Sequence, residues 1–273
     1  MGDAAKAKIP SESSHLDQLV MAYDGDTELR NRLRLEGDWP RRWSATWRVS
    51  AGEVCWPILD MAHVPVLSSR PMRGFTWRAK QRHRPGLEVM AATGWTHGFE
   101  SLEELRLLVA LDFLRASEVL SQPFRVDFEH RDGKSWHIPD YLAVISGGMW
   151  LLDVRPMDLI ADEDALKFAA AREVAAACGW RYSVVAGWRP HVWSVLDHLS
   201  SRRRPTRDLL GMRDQLLTAI GDRAGRVMTF SELADATSVP AVGRANIVRL
   251  LWQRELGVDL GSPLRDSSLV WGV

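Results

Sequence analysis

The sequence predicts an α/β chain in which a mixed sheet flanked by helices is followed by a smaller, mainly helical C-terminal domain. Three observations predict it. The chain has 273 residues and is 46% apolar, enough for one large domain or two to three small ones. Between Phe99 and Gly187 the periodicity alternates between helix and strand in the order α-β-β-β-α-β. After the basic run SSRRRPTR, broken by Pro205, the pattern changes to short amphipathic helices and a terminal alternation.

The elements follow in order. Residues 1–16 are small, polar and charged and predict a disordered tail. Residues 17–65 form an N-terminal extension, with a helical stretch at LDQLVMAYDG and a hairpin turning at Gly52 in TWRVSAGEVCWPIL. Residues 66–200 form the central domain. FESLEELRLLVALDFL reads as a helix without breakers, then FRVDFEH, WHIPDYLAVI and MWLLDVRP as strands, with a Gly147-Gly148 turn between the last two. DEDALKFAAAREVAAACGW reads as an Ala-rich helix stopped by Gly179, and RYSVVAG as a buried strand.

Residues 201–273 form the last domain. RDLLGMRDQLLTAIG is one helix, and MTFSELADAT starts a second with Thr229 and Glu232 spaced as a capping box. SVPAVGRANIVRLLWQRELG is the third, with Ser238 as N-cap and Gly257 as stop, and the remainder alternates like a small hairpin. Three helices and a hairpin describe a winged helix-turn-helix.

No apolar run approaches the roughly 20 residues that cross a bilayer, and MGDAAKAKIPSESS has no apolar segment behind its lysines. Cys55 and Cys178 match neither a zinc spacing nor a disulfide framework. A soluble cytoplasmic chain that binds no membrane is expected. The 35 basic and 35 acidic side chains cancel, yet residues 1–98 carry 14 against 11, residues 99–190 carry 10 against 15, and residues 191–273 carry 11 against 9. An acidic middle between basic flanks keeps a polyanionic partner open. Arginine outnumbers lysine 30 to 5, a ratio that forked phosphate recognition and GC-rich coding both produce. Arg70, Arg73, Arg78, Lys80, Arg82 and Arg84 have few acids between them, and read as a solvated loop or a phosphate-contacting arm. The 13 tryptophans read mainly as packing residues.

The central domain carries the candidate chemistry. A rotation of about 100° per residue puts Glu104 in one stripe with Leu107, Leu108 and Leu111, facing the sheet, while the helix-start role suits Glu100 or Glu103. A carboxylate facing a core needs a partner or a metal. Period two places Asp153 and Arg155 on one strand face, and the Gly147-Gly148 turn brings Asp140 toward Asp153. These carboxylates and a nearby cation make a site for one or two magnesium ions; the alternative is a surface ion pair between Asp153 and Arg155 worth about 0–1 kcal/mol. The histidines form no ligand pattern, with His137 alone near the site, and no glycine-rich phosphate loop is present.

FESLEE, SQPF, HIPDYL and LLDVRP, in that order, resemble the PD-(D/E)xK nuclease signature, and within it the TnsA-like endonuclease subunits of heteromeric transposases. The resemblance covers about Arg70 to Trp188, and a C-terminal winged helix matches the family's organisation. It implies a restriction-endonuclease-like fold and a magnesium- or manganese-dependent DNA endonuclease that leaves 5′-phosphate and 3′-hydroxyl ends. Carried over, Glu104 is the helix carboxylate, Asp140 the central metal ligand and Asp153 the second. Arg155 stands where the family has lysine, and Lys167 is either a displaced lysine or an exposed helix residue. Arginine keeps its charge where lysine can lose a proton. The alternatives are therefore a catalytically impaired DNA-binding or assembly subunit, and a defence or repair nuclease. Expected partners are double-stranded DNA, a DDE transposase subunit and a second copy of the chain. DNA contacts are expected from Arg78, Lys80, Arg82 and Arg84, and from Asn246, Arg249 and Gln253 on one face of the third helix, a face that could equally bind the transposase.

Overall fold

A computed structural model describes residues 8–25, 27–75, 85–221 and 227–273. The chain divides into two compact units, Met21–Gly187 and a discontinuous one formed by Met1–Val20 with Trp188–Val273. The architecture is mixed α/β, with antiparallel and mixed sheets flanked by helices. No helix among the described residues is long and apolar enough to cross a membrane.

The expected helix at LDQLVMAYDG forms only one turn, α1 (Leu16–Leu19), before β1 (Val20–Ala22) joins a sheet. β-Branched Val20 suits the strand, and pairing in the sheet overrides the helical spacing. After two single-turn helices, α2 (Thr27–Arg30) and α3 (Trp39–Arg42), comes the expected hairpin of β2 (Ser44–Val49) and β3 (Gly52–Pro57). Gly52 sits at φ +135°, a conformation that favours glycine. A second small hairpin, β4 (Gly86–Val89) and β5 (Thr96–Phe99), leads into α4 (Leu102–Phe113).

The expected α-β-β-β-α-β run is present with two more strands than the sequence shows. β6 (Glu118–Ser121) precedes β7 (Arg125–His130), and WHIPDYLAVI is two strands rather than one: β8 (Gly133–His137) and β9 (Tyr141–Ile145). Pro139 has no amide hydrogen to continue a ladder, so the strand breaks there. β10 (Gly148–Val154), α5 (Asp162–Ala177) and β11 (Arg181–Trp188) complete the unit. The five-stranded sheet runs β1-β11-β10-β9-β6, with β10 and β11 parallel across the α5 crossover and β10, β9 and β6 antiparallel. The expected N-terminal extension is not separate. Its β3 and β2 form a four-stranded sheet with β7 and β8. One apolar cluster joins Trp43, Trp47 and Phe128 of this region to Leu142 and Leu151 of the larger sheet and to Ala170, Ala171 and Val174 of α5.

In the other unit, α6 (Val192–Ser200) groups with the C-terminal elements rather than with the central domain. It is followed by α7 (Met212–Ile220), β12 (Val227–Thr229), α8 (Phe230–Asp235), α9 (Pro240–Trp252), β13 (Leu256–Val258) and β14 (Leu269–Gly272), the strands pairing in the order β12-β14-β13. The capping box of Thr229 and Glu232 forms as expected. α9 differs from its expected ends: Val239 is the N-cap with Pro240 in the first turn, the helix stops at Gln253, and Gly257 lies within β13.

Residues 8–16 do not form the expected tail. Ile9 N–H donates to Asp259 Oδ1 at 2.9 Å, Leu260 N–H donates to Ile9 O at 2.8 Å, and Ser11 N–H donates to Val258 O at 2.9 Å. Ser11 Oγ accepts from Val258 N–H at 2.9 Å, so this fully buried serine is satisfied. Main-chain pairing thus fixes a segment whose composition alone resembles a tail. Burial tends to raise the Asp259 pKa, but hydrogen bonds from Ile9, Ser262 and Gly261 and the charge of Lys8 hold it below the usual carboxylate range. A depressed folded-state pKa contributes stability above the unfolded value, near 3.9, that is lost as pH falls through the folded one. Asp259→Ala is expected to lower stability by about 1 kcal/mol at pH 7. In urea melts, its gap from the parent protein should narrow below about pH 4; an unchanged gap would contradict the anchoring role.

Candidate active site

The turn at Ser146 and Gly147, both at positive φ, sends β9 back along β10. Their register pairs Ile145 with Gly148, Leu142 with Leu151 and Tyr141 with Leu152. One step further out, Asp140 N–H donates to Leu152 O at 3.1 Å, which sets Asp140 opposite Asp153. The ladder then changes character. Val154 N–H donates to Asp140 Oδ2 at 2.7 Å, so a side-chain carboxylate takes the place of a backbone carbonyl. The expected approach of Asp140 to Asp153 follows from this register.

Asp153 is 1% exposed. Its Oδ1 is 2.8 Å from His137 Nε2, and its Oδ2 accepts from the Tyr182 hydroxyl at 2.7 Å. With Asp153 ionised, Nε2 carries the proton and donates. His137 comes from the end of β8, and its ring meets the edge of Phe168 at 6.0 Å. Tyr182 comes from β11, where it pairs with Leu151 two residues before the pairing of Asp153 with Val184 and so shares a sheet face with Asp153. Burial, the charge of Asp153 and the bond donated to it push the Tyr182 pKa well up, so the phenol stays protonated.

Glu104 is 8% exposed, as its helical stripe predicts, but it also holds the helix-start role that the sequence pattern gave to Glu100 or Glu103. Ser101 is the N-cap of α4, and its Oγ accepts from Glu104 N–H at 3.2 Å while donating to Glu104 Oε1 at 2.8 Å. Glu104 Oε2 accepts from Glu100 N–H at 2.7 Å. Ser101 thus caps α4, and Glu104 closes the turn back onto Glu100 N–H and the Ser101 hydroxyl rather than onto the Ser101 N–H of a capping box.

The three carboxylates act on one another. Burial first, then the charges of Glu104 and Asp153, push the Asp140 pKa well above the ordinary value, against the lowering hydrogen bond from Val154. Glu104 is also raised, by burial and the charge of Glu100, with the bonds from Glu100 N–H and Ser101 and the charge of Arg73 opposing. The Tyr141 phenol is pushed well up by burial and by Glu104 and Asp140, and its hydroxyl donates to Gly98 O at 3.0 Å. Arg73 lies 3.6 Å from Glu100.

Arg155 does not accompany Asp153. β10 ends at Val154, and beyond it the Arg155 guanidinium turns to Leu159 O at 3.2 Å and Asp164 at 3.4 Å, with 44% of the side chain exposed. Lys167 pairs with Glu163 at 2.6 Å on the exposed side of α5, the plainer of its two readings. Among the described residues, no group of three or more His, Cys, Asp or Glu side chains is arranged to hold a metal ion.

Of the expected DNA-contacting residues, Arg78, Lys80, Arg82 and Arg84 lie outside the described residues. The other three do not form an open reading face. Asn246 donates to Val242 O on its own helix at 3.0 Å, and Gln253 caps the end of α9. Arg249 is 8% exposed and donates to Thr206 O at 3.0 Å and Thr206 Oγ1 at 3.1 Å. Helical spacing correctly puts these residues on one face but cannot show that residues 201–210 cover part of it. Sequence reasoning also missed Tyr182, hidden in a strand-like run, and the part of His137 as the partner of Asp153. The HIPD segment was the only signal for the latter.

No family model matches the chain, and no curated protein matches it either.

A carboxyl whose folded-state pKa is raised binds its proton more tightly in the folded state, so ionised Asp140 opposes folding at neutral pH. Stability should therefore fall as pH rises from about 3.9 toward the raised folded value. Asp140→Asn, which keeps an oxygen for Val154 N–H, is expected to raise the melting temperature at pH 7, with the gain vanishing below about pH 4. A variant that melts at or below the parent temperature at pH 7 would show that the three charges do not strain the site.

Proposed function

We propose that the chain is a metal-dependent DNA endonuclease subunit of the TnsA-like, PD-(D/E)xK type, with a restriction-endonuclease-like central unit and a C-terminal winged helix-turn-helix. The observation that carries this reading is the β9–β10 register, which sets Asp140 against Asp153 within reach of the Glu104 charge. Three carboxylates that repel one another are a donor set suited to a hard cation.

The donor chemistry fits magnesium or manganese. Each carboxylate oxygen has two acceptor sites, so His137 and Tyr182 leave capacity on both oxygens of Asp153, and Asp140 Oδ1 has no donor among the described residues. Magnesium is commonly held by one or two carboxylates together with water and substrate phosphate, so a group of three protein ligands is not required. Asp140 and Asp153 would hold the ion, and Glu104 would assist after leaving its cap. When bound, the ion supplies Lewis-acid activation of a phosphodiester and of the water that attacks it.

The protein's own residues prepare the site. His137, whose ring rests on Phe168, and Tyr182 fix the orientation of Asp153, whose burial keeps bulk water from its carboxylate. Val154 N–H fixes Asp140. A second reading, an impaired DNA-binding or assembly subunit, has one observation behind it: Arg155 points to Asp164, and among the described residues no lysine or arginine forms an ion pair with Asp153.

Purified protein with manganese or magnesium is expected to nick supercoiled plasmid, alone or with a transposase partner. Asp140→Ala should abolish nicking, while Arg155→Ala should retain it, because that guanidinium lies on a half-exposed pair away from the carboxylates. Unchanged nicking by Asp140→Ala would remove the assignment. A silent parent protein that gains nicking as Arg155→Lys would establish the second reading instead.

A further inference from the structure

Beyond α6 the chain carries Arg202, Arg203, Arg204 and Arg207 over the first half of α9. This segment is tied down. Arg249 holds Thr206 through two hydrogen bonds, and Asp208 accepts from the N–H groups of Met212 and Arg213 at 2.9 and 2.8 Å, anchoring the start of α7. Between segment and helix lies a cavity of about 500 Å³ whose walls include Arg202, Arg204, Arg207, Arg249 and Asn246. Asp208 is its sole lining carboxylate, and those two amides and Arg249, 4.0 Å away, already engage it.

Arg202, Arg204 and Arg207 make no ion pair with any carboxylate of the described residues. The Arg249 Nε is buried without a partner. A second cavity of about 370 Å³ shares Ser201, Arg202 and Ala245 with the first and adds His198, Arg244 and Arg265, with Asp266 taken up by Arg244. The two concavities therefore form one continuous trough edged by arginines that the protein itself leaves largely unneutralised.

We infer that this trough binds the phosphate backbone of a nucleic-acid duplex, through Arg202, Arg204 and Arg207. Planar guanidinium forks match phosphate oxygens, and a row of cations across two joined concavities matches a ligand with repeated charges. The contacts are to backbone, so they position the duplex without reading its sequence. The inference rests on the chain acting on DNA, and it moves the contact from the expected face of Asn246, Arg249 and Gln253 to the segment that covers it. Arg249 is a positioning residue that holds the segment in place.

The test uses the full chain in EDTA with a fluorescent 20-base-pair duplex, titrated between 50 and 200 mM salt. The parent protein should bind with a steep salt dependence. The Arg202→Gln, Arg204→Gln, Arg207→Gln triple variant should bind more weakly and lose about 0.9 from the log–log slope per lost contact. Its melting temperature should match the parent's, since all three side chains are exposed. Absence of duplex binding by the parent, or an unchanged slope in the triple variant, overturns the inference. So does a triple variant that loses binding of polyglutamate or inorganic phosphate alone while its duplex binding is unchanged. Binding in EDTA does not depend on cleavage. Duplex binding that needs the three arginines in a protein that never nicks would overturn the endonuclease reading alone, and nicking with duplex binding unaffected by the triple substitution would overturn this inference alone.

Discussion

The bond from Val154 N–H to the Asp140 carboxylate is the constraint on which the central unit turns. At the open end of a hairpin the next ladder acceptor would ordinarily be a backbone carbonyl. Here Pro139 breaks the strand, and the Asp140 side chain accepts in its place. A charged group is thereby fixed at a sheet position facing a second carboxylate, Asp153, under the charge of a third, Glu104. Hydrogen bonding holds the three in place while burial and neighbouring charge raise the free energy of the ionised forms of Asp140 and Glu104.

The neighbouring bonds distribute this strain. His137 and Tyr182 come from two different strands and meet on Asp153, so the carboxylate couples β8, β10 and β11. Glu104 satisfies the first turn of its own helix. Each acidic side chain therefore has a structural partner as well as a candidate chemical role, and removing one would disturb both.

The sequence made the central run of helices and strands legible, because period and turn residues agreed there: Gly147 ended one strand and Gly179 one helix, and the run from Phe99 to Leu114 carried no breaker. Asp140 and Asp153 could be paired from spacing alone, since period-two geometry and a tight turn determine register. What could not be read came from long-range pairing. Ile9 and Ser11 are held by Val258, Asp259 and Leu260, almost the whole chain away. β2 and β3 lie in one sheet with β7 and β8, though local pattern marked them as a separate extension. Arg155 was misplaced for a smaller reason: strand alternation was carried one residue past the end of β10.

The bonds between residues 9–11 and 258–260 also bear on the order in which the molecule is made. Met21–Gly187 is one uninterrupted stretch, so its contacts can form once that stretch leaves the ribosome. The other unit cannot close until translation reaches Leu260, and until then Ile9 and Ser11 have no main-chain partners from that end of the chain. During synthesis, the carboxylate-bearing unit is therefore complete while the arginine-bearing unit is still open, and the two activities assigned to them would be acquired one after the other.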